Sequence, residues 1–483
     1  MARVIETFIN YNKNKITNVS ANYTIAADDD TVNVLAETAT VTVDNTLFNV
    51  GKKLLVRKIH VTQGEVAIIF TGGTVTKAAL TSVTLNSDGD FWLVEKVTAT
   101  RWDIIAEEQP NLVYGIEINE DQENPDLAVI YTDDAMGFTP ATRTTNGSWG
   151  TTNGTNPLFK DIRPCLFKDG LVNYYLNPED YTKKTDGTDS VLTGADGDVM
   201  LEIPKMWCRV NRSGNQLRVQ VSRAPFSGAR AYSHTRTTEG DRDFLYIGAY
   251  LGTTVSDSLR SISGTAEPTG SKTIGTFRTE ARNKTNNGTG EYDLVSFYPL
   301  TLLQCLYLIR YKHLDSQTAL GRGHVDSAVY AATGRTNTLG MYAGTTSGNP
   351  GYVKFAGIED FYGNKFYWID GVFNNSTRNV LTAFKSFNDT GSGYTNQGVR
   401  SSDNLSGFLK TPQGDTECGF IAKEVGSPAS ASTYYCDFSI LNADRLARFG
   451  AGRGSSDDGA FYLRVNDLSA NSVPDLGARL MYL

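Results

Sequence analysis

The sequence predicts a mainly β protein with few helices, of α+β class, in which strands supply most of the core. Short runs rich in Val, Ile and aromatic residues recur, separated by clusters of Gly, Asn, Asp and Thr. Glycine is abundant, 46 residues against 14 prolines, as a turn-rich β chain requires. Only one stretch carries a strong helical period.

The first elements form a small all-β unit over residues 1–108. TATVTVD (38–44), KLLVRKIHV (53–61), EVAIIF (65–70) and FWLVEKV (91–97) read as strands, and RWDIIAEEQ closes the unit. Thr62-Gln63-Gly64, Thr71-Gly72-Gly73 and Asp88-Gly89-Asp90 read as the turns between them. No repeat of solenoid or propeller period shows. Residues 109–125, acidic and marked by Pro110 and Pro125, read as a linker or the opening of the next domain.

Residues 126–483 alternate short strands with polar loops such as TRTTNGSWGTTNGTNP (142–157) and TKKTDGTDSVLTGADGD (182–198). So many long loops imply a core of few elements bearing long excursions. The helical stretch is SFYPLTLLQCLYLIRYKHLDSQ (296–317), with Ser296 at the N-cap and Pro299 in the first turn. It is apolar nearly all round and so should be buried against a sheet. A weaker helix is expected within Ser261–Glu280. GIEDFYGNKFYWIDGV (357–372) has the two-residue period of an aromatic strand entered through a Gly363-Asn364 turn of positive φ.

Composition excludes several functions. At 483 residues the chain exceeds what one core fills, so several domains are expected. A net charge of -8 provides no basic stripe for phosphates, so nucleic acid is not an expected partner. The longest apolar run, PLTLLQCLYLI, is interrupted by Gln304 and is too short to enter a bilayer as a span. The first residues lack the apolar core of a secretory signal, so synthesis in a cytoplasm is expected. Cys165, Cys208, Cys305, Cys418 and Cys436 are odd in number and widely spaced, the pattern of scattered buried thiols. Asp186, Asp189, Asp196 and Asp198 crowd one loop, where a solvated turn explains them more simply than calcium does. No metal and no cofactor are expected.

Several phrases occur together in a fixed order. They are YGIEINEDQENPDLAVIYTDDAMGFTPA (114–141), GDVMLEIPKMWCRV (197–210), FLYIGAYLG (244–252) and ALGRGHVD (319–326). GIEDFYGNKFYWIDGV and ARFGAGRGSSDDGAFYLRVNDLSANSVPDLGARLMYL (447–483) complete the series. The set resembles phage tail-fibre receptor-binding proteins with a C-type-lectin-like domain, a family related to the phage major tropism determinant and, more distantly, to formylglycine-generating enzymes. The resemblance covers roughly 114–483. The strand pattern of 1–108 is similar to N-terminal attachment modules of tail fibres.

The resemblance implies a non-catalytic adhesin that joins a virion to a bacterial surface receptor, protein or glycan. The N-terminal module would attach to other tail proteins or oligomerise, and the family implies a homotrimer. It also places Gly363, Asn364, Phe366 and Trp368 in the structural core, with Arg479 paired internally. Glu359 and Asp370 would hydrogen-bond loop amides. Recognition would fall to Arg453, Ser455, Asp457, Asp458, Tyr462, Arg464, Asn466, Asp467 and Asn471. Strand alternation sends Tyr462, Arg464 and Asn466 to one face and Leu463 and Val465 to the other.

Rival readings have weaker footing. A structural virion protein of the same fold would not touch the host. Formylglycine generation, by resemblance, needs close cysteines near the C-terminus, whereas the last here are Cys418 and Cys436 and no cysteine after Cys436 replaces them. Calcium-dependent sugar binding needs phrases that Glu267-Pro268-Thr269 and Val465-Asn466-Asp467 do not supply. Glycan cleavage needs carboxylates paired across a groove, and His234, His313 and His324 stand beside no G-x-S-x-G motif.

Overall fold

The computed structural model describes residues 15–26, 29–35, 39–48, 52–58, 66–71, 74–75, 82–85, 91–98, 101–108, 112–150, 156, 158–236, 239–455 and 457–483. The mainly β class is what it contains. The chain divides into two compact units, Met1–Leu112 and Val113–Leu483.

In the first unit, β1 (Lys15–Val19), β3 (Asp29–Val34) and β5 (Lys53–Lys58) pair in parallel. So do β2 (Tyr23–Thr24), β4 (Ala39–Asp44) and β6 (Val66–Thr71) in a second sheet. The chain alternates between the two sheets and so winds three coils of a short β-helix. β7 (Thr74–Val75), β8 (Ser82–Leu85), β9 (Phe91–Thr98) and β10 (Arg101–Glu108) complete the sheets; β8 runs antiparallel to β6 and β9 to β5. No repeat period shows in the sequence even so. Thr31 aligns with Ile16 on one side and Leu55 on the other, so the coils differ in length and leave no fixed period.

Val32, Val34, Val41, Val43, Leu54, Val56 and Ile68 fill the space between these sheets. Asp29, also buried, accepts hydrogen bonds from Thr17 Oγ1 (2.6 Å), Tyr23 Oη (2.7 Å) and Ala26 N (2.8 Å), which satisfies a carboxylate at a coil corner. The expected turns at 62–64, 72–73 and 88–90 lie outside the described residues.

The stretch read as a linker or the opening of the next domain contains the start of the second unit. β11 (Val113–Asn119) begins inside it and pairs along its whole length with β18 (Gln216–Ser222). Together with β12 (Val129–Asp133) and β17 (Trp207–Ser213) they form a four-stranded antiparallel sheet. Its β11 alternation is irregular, with Tyr114, Gly115, Ile116 and Ile118 buried, and acidic flanking turns mask the strand in sequence.

A seven-stranded sheet runs in the order β15 (Asp180–Lys184), β14 (Leu171–Asn177), β13 (Arg163–Lys168), β16 (Asp198–Pro204), β19 (Phe244–Gly248), β30 (Leu480–Tyr482), β20 (Tyr292–Leu294). The last strand of the chain thus sits inside this sheet. The largest sheet holds β21 (Phe366–Asn374), β22 (Asn379–Thr382), β23 (Thr395–Val399), β24 (Leu405–Pro412), β25 (Ala422–Val425), β26 (Phe438–Leu441), β27 (Arg445–Phe449) and β28 (Leu463–Asp467), with β29 (Leu476–Gly477) against β21.

The principal helix, α2 (Phe297–Tyr311), is buried at all fifteen positions, which is why its sequence is apolar all round. It ends at Tyr311, and Ser316–Ala319 forms a separate short turn, α3, so the single helix expected over 296–317 is broken. Lys312 in the left-handed conformation stops it. Ser296 occupies the N-cap position but makes no capping bond with its side chain. The weaker helix is α1 (Ile274–Arg282), later than expected and capped by Thr273.

Every residue of β21 is buried. Gly363 (φ 87°) and Asn364 (φ 71°) form the positive-φ turn that feeds it. A Cβ on Gly363 would stand 2.7 Å from His324 N. Asn364 exchanges hydrogen bonds with both backbone groups of Ala331. Glu359 accepts from the amides of Gly334 and Thr336. Asp370 is different: besides its own neighbour's amide it takes Arg278 through both oxygens. Arg479, 1% exposed, donates to the carbonyls of Gly248, Glu359 and Asp360.

Candidate functional site

The C-terminal segment lies across β27 and β28. Arg448 and Arg464 are cross-strand partners, so both guanidiniums rise from one face. Arg464 lies 4.6 Å from the Tyr462 ring and 5.4 Å from Phe438, and Arg448 lies 4.5 Å from Phe366. Phe366 and Tyr462 stack at 5.5 Å, while Phe408 meets Phe438 edge-on at the same separation. Cations over aromatic faces hold both arginines, and Arg448 also pairs with Asp467. Leu463 and Val465, on the other face, are buried. Arg464 and Asn466 are half-buried beside half-buried Phe408, Phe438 and Ile440, a set from β24 and β26 that the sequence reading missed. Only the pairing of distant strands joins them.

Three expected recognition residues are not on the surface. Tyr462 is 0% exposed, Asp458 2% and Asp467 3%. Tyr462 packs under Arg464, and Asp467 is held by Arg448 Nε at 3.3 Å and Asn471 Nδ2 at 2.6 Å. Burial pushes the Asp458 carboxyl up to about 8, with the Arg464 charge opposing. Among the described residues, Asp458 Oδ2, the Tyr462 hydroxyl, Arg464 Nε and Asn466 Oδ1 are buried without a hydrogen-bond partner.

The remaining expected residues occupy the rim. Arg453 and Asp457 are exposed and Ser455 is half-buried. Arg453 donates to Ala328 O (2.8 Å) and lies 4.6 Å from the Tyr330 ring. Asp457 reaches a cleft of about 660 Å³ that Arg143, Asp315, Arg322, Thr346 and Ala431 also line. Five loops, far apart in sequence, meet there.

Buried groups hold those loops. Arg310, at the end of α2, binds Asn146 Oδ1 (2.5 Å) and Gly150 O (3.2 Å) and lies 3.5 Å from the Tyr342 ring. Ser316 Oγ accepts from Ala460 N (2.8 Å), and Asp437 accepts from Phe461 N (2.7 Å). A Cβ on Gly459 would lie 2.1 Å from Ser316 Oγ, so only glycine permits this approach. Asp315 caps α3 through Thr318 N. The cleft therefore presents two guanidiniums, two carboxylates and hydroxyls on a fixed frame, a mixture of donors and acceptors suited to a polar, uncharged or zwitterionic ligand.

The histidines are placed structurally. His234 lies between Ser233 Oγ and Ile203 O, and burial lowers it to about 4. His324 bonds Val329 O, and His313 accepts from Asp315 N. Of the crowded loop aspartates, Asp198 is buried between Arg260 (2.8 Å) and Lys284 (2.6 Å), whereas Asp189 pairs with Lys183 in the open. Among the described residues no group of three or more His, Cys, Asp or Glu could hold a metal ion, and no helix is long and apolar enough to cross a membrane. Tyr434 to Cys436 is a turn with positive φ at Tyr434 and Cys436, and the strand that follows starts at Phe438.

No family model matches the sequence, and no curated protein matches it. Among solved structures, the chain is similar to PvdO from Pseudomonas aeruginosa at TM-score 0.26 and 10% identity, over 61% of this chain and 97% of that one. It is similar to the Major Tropism Determinant P3c variant at TM-score 0.21 and 10% identity, over 88% and 96%. Similarity this distant carries no argument about function.

Proposed function

We propose that this chain is a phage tail adhesin that binds a receptor on the bacterial surface without chemical catalysis. The observation that carries the reading is the convergence of five loops on one polar cleft, beside which buried bonds of Arg310, Ser316 and Asp437 hold the neighbouring segments. A preorganised rim of this kind binds at low entropic cost. The ordered phrases of 114–483 supply the C-type-lectin-like family and the phage setting. On this reading the chain belongs to the virion, its first unit attaches it to other tail proteins, and three copies act together. Weak single contacts then become tight attachment through raised local concentration.

Preincubating host cells with the purified protein tests the reading. Blocked phage adsorption supports it, and a folded Arg143→Ala, Arg322→Ala, Asp457→Ala variant should block at least tenfold less well. Unimpaired adsorption in the presence of intact protein would favour a structural virion component.

A further inference from the structure

The chain is acidic, with net charge -8, yet it carries a cavity whose lining is cationic. The cavity holds about 230 Å³, against roughly 30 Å³ for one water, and Lys168, Arg260 and Lys284 line it against Asp169 and Asp198. It shares no lining residue with the loop cleft. The fold builds this cluster from three separate segments. Antiparallel pairing of Phe167 with Asp198 sets Lys168, the last residue of β13, beside the start of β16. Gly197 (φ 131°) makes the entry to β16, where a Cβ would stand 2.5 Å from Phe167 O. The carbonyls of Gly194 and Gly197 accept from Arg260 Nη2 at 2.9 and 3.3 Å, and Asp198 Oδ1 accepts from Arg260 Nε at 2.8 Å. Lys284, just beyond α1 and with its side chain only 9% exposed, donates to Asp198 Oδ2 at 2.6 Å.

One buried carboxylate, Asp198, therefore answers two cations, and its Oδ1 also accepts from Ser261 N at 2.8 Å. Lys168 finds only the Ala195 carbonyl, at 3.3 Å. Among the described residues Arg260 Nη1 makes no bond, and Lys284 Nζ uses one of its three donors. Burial pushes the Lys284 ammonium down, with the Asp198 charge opposing, so a further anion beside it is favoured. We propose that this cavity binds the phosphoryl group of a small phosphate monoester. Three cations reach the cavity from three segments, and a tetrahedral oxyanion accepts from several directions at once. A planar carboxylate would fill the Arg260 fork and leave the lysines unmet. A second hollow of about 400 Å³ shares Lys284 with the first, and Asn286, Tyr292 and Ser386 line it. Its neutral polar groups and aromatic ring suit the hydroxylated body of the ester.

The cavity lies outside the adhesin reading. Phosphate binding is measured without cells and adsorption with them, so either can fail alone.

The test is calorimetric titration of the full-length chain with glycerol 3-phosphate, with inorganic phosphate and acetate as competitors at matched ionic strength. The expected result is one saturable site for glycerol 3-phosphate, weakened by added salt, displaced by inorganic phosphate and not by acetate at the same concentration. Lys284→Gln should weaken binding about tenfold or more, and Lys168→Ala about threefold or more. Lys168 is exposed and makes a single carbonyl bond, so its variant keeps the fold and the test stands even where Lys284→Gln does not fold. Absence of a saturable site, displacement by acetate as readily as by phosphate, or an affinity that Lys168→Ala leaves unchanged would each overturn the proposal.

Discussion

Arg278 of α1 grips Asp370 of β21 through two parallel bonds, Nε to Oδ2 at 2.8 Å and Nη2 to Oδ1 at 3.0 Å, with Asp370 fully buried. Burial raises the Asp370 carboxyl and Arg278 pulls it back. Removing Asp370 leaves Arg278 with Asp389, at 2.8 Å, as its remaining carboxylate and strips the bidentate pair from the core. Asp370→Ala should therefore destabilise the second unit by about 2–3 kcal/mol, read by urea denaturation. A loss under about 1 kcal/mol would show that the pair is replaceable.

Arg479 makes a different bond pattern, with no carboxylate among its partners. Its three carbonyl acceptors come from segments near 248 and 359–360, so it stitches the C-terminal strand to two others. Arg479→Leu removes the donors and leaves three buried carbonyls unsatisfied. The expected loss is about 3 kcal/mol or more, since each such group costs roughly 1–3 kcal/mol. Arg479→Lys, which cannot span all three, should recover only part of it.

His234 provides an acid response. Its folded value of about 4 lies below the ordinary 6.5, so the unfolded chain binds the proton more readily between those values. Stability is therefore full above pH 6.5 and declines as pH falls toward 4, by about 3 kcal/mol for this group. His234→Gln should flatten that part of a stability-against-pH curve while leaving the carboxylate-driven loss at lower pH.

Asp458 works in the opposite sense. Its folded value of about 8 lies above the ordinary 3.8, so the native state retains a proton that the unfolded chain has released. The contribution is full below pH 3.8 and is lost as pH rises through 8. Asp458→Asn keeps the shape without the charge. It should raise Tm at pH 9 by about 2 °C or more, with little effect at pH 5. An unchanged Tm at pH 9 would mean that the loop opens and hydrates the carboxylate.

Much of the scaffold was legible because it depends on short-range pattern. The all-round apolar stretch had to be a buried helix, and Gly363-Asn364 had to be a positive-φ turn. The β-helix of the first unit was not legible, because coils of unequal length leave parallel partners at irregular spacing. β11 was hidden by the acidic turns that follow it. At the site, alternation gave the correct face for Arg464 but not the depth of Tyr462, Asp458 and Asp467. Depth depends on what folds over a strand. The cleft itself required Arg143, Asp315, Arg322, Thr346, Ala431 and Asp457 to be brought together from five loops, and nothing local signals that.

By itself the sequence determined the class of fold, the identity of the central helix and the aromatic strand, and the acidic net charge. These follow from composition and from periods of two and 3.6 residues, which act within a few positions. Only the tertiary structure decided which polar side chains are exposed and which loops share a cleft. Those are distances between residues hundreds of positions apart, set by how the sheets and α2 pack, and close packing fixes them only when the whole chain is in place.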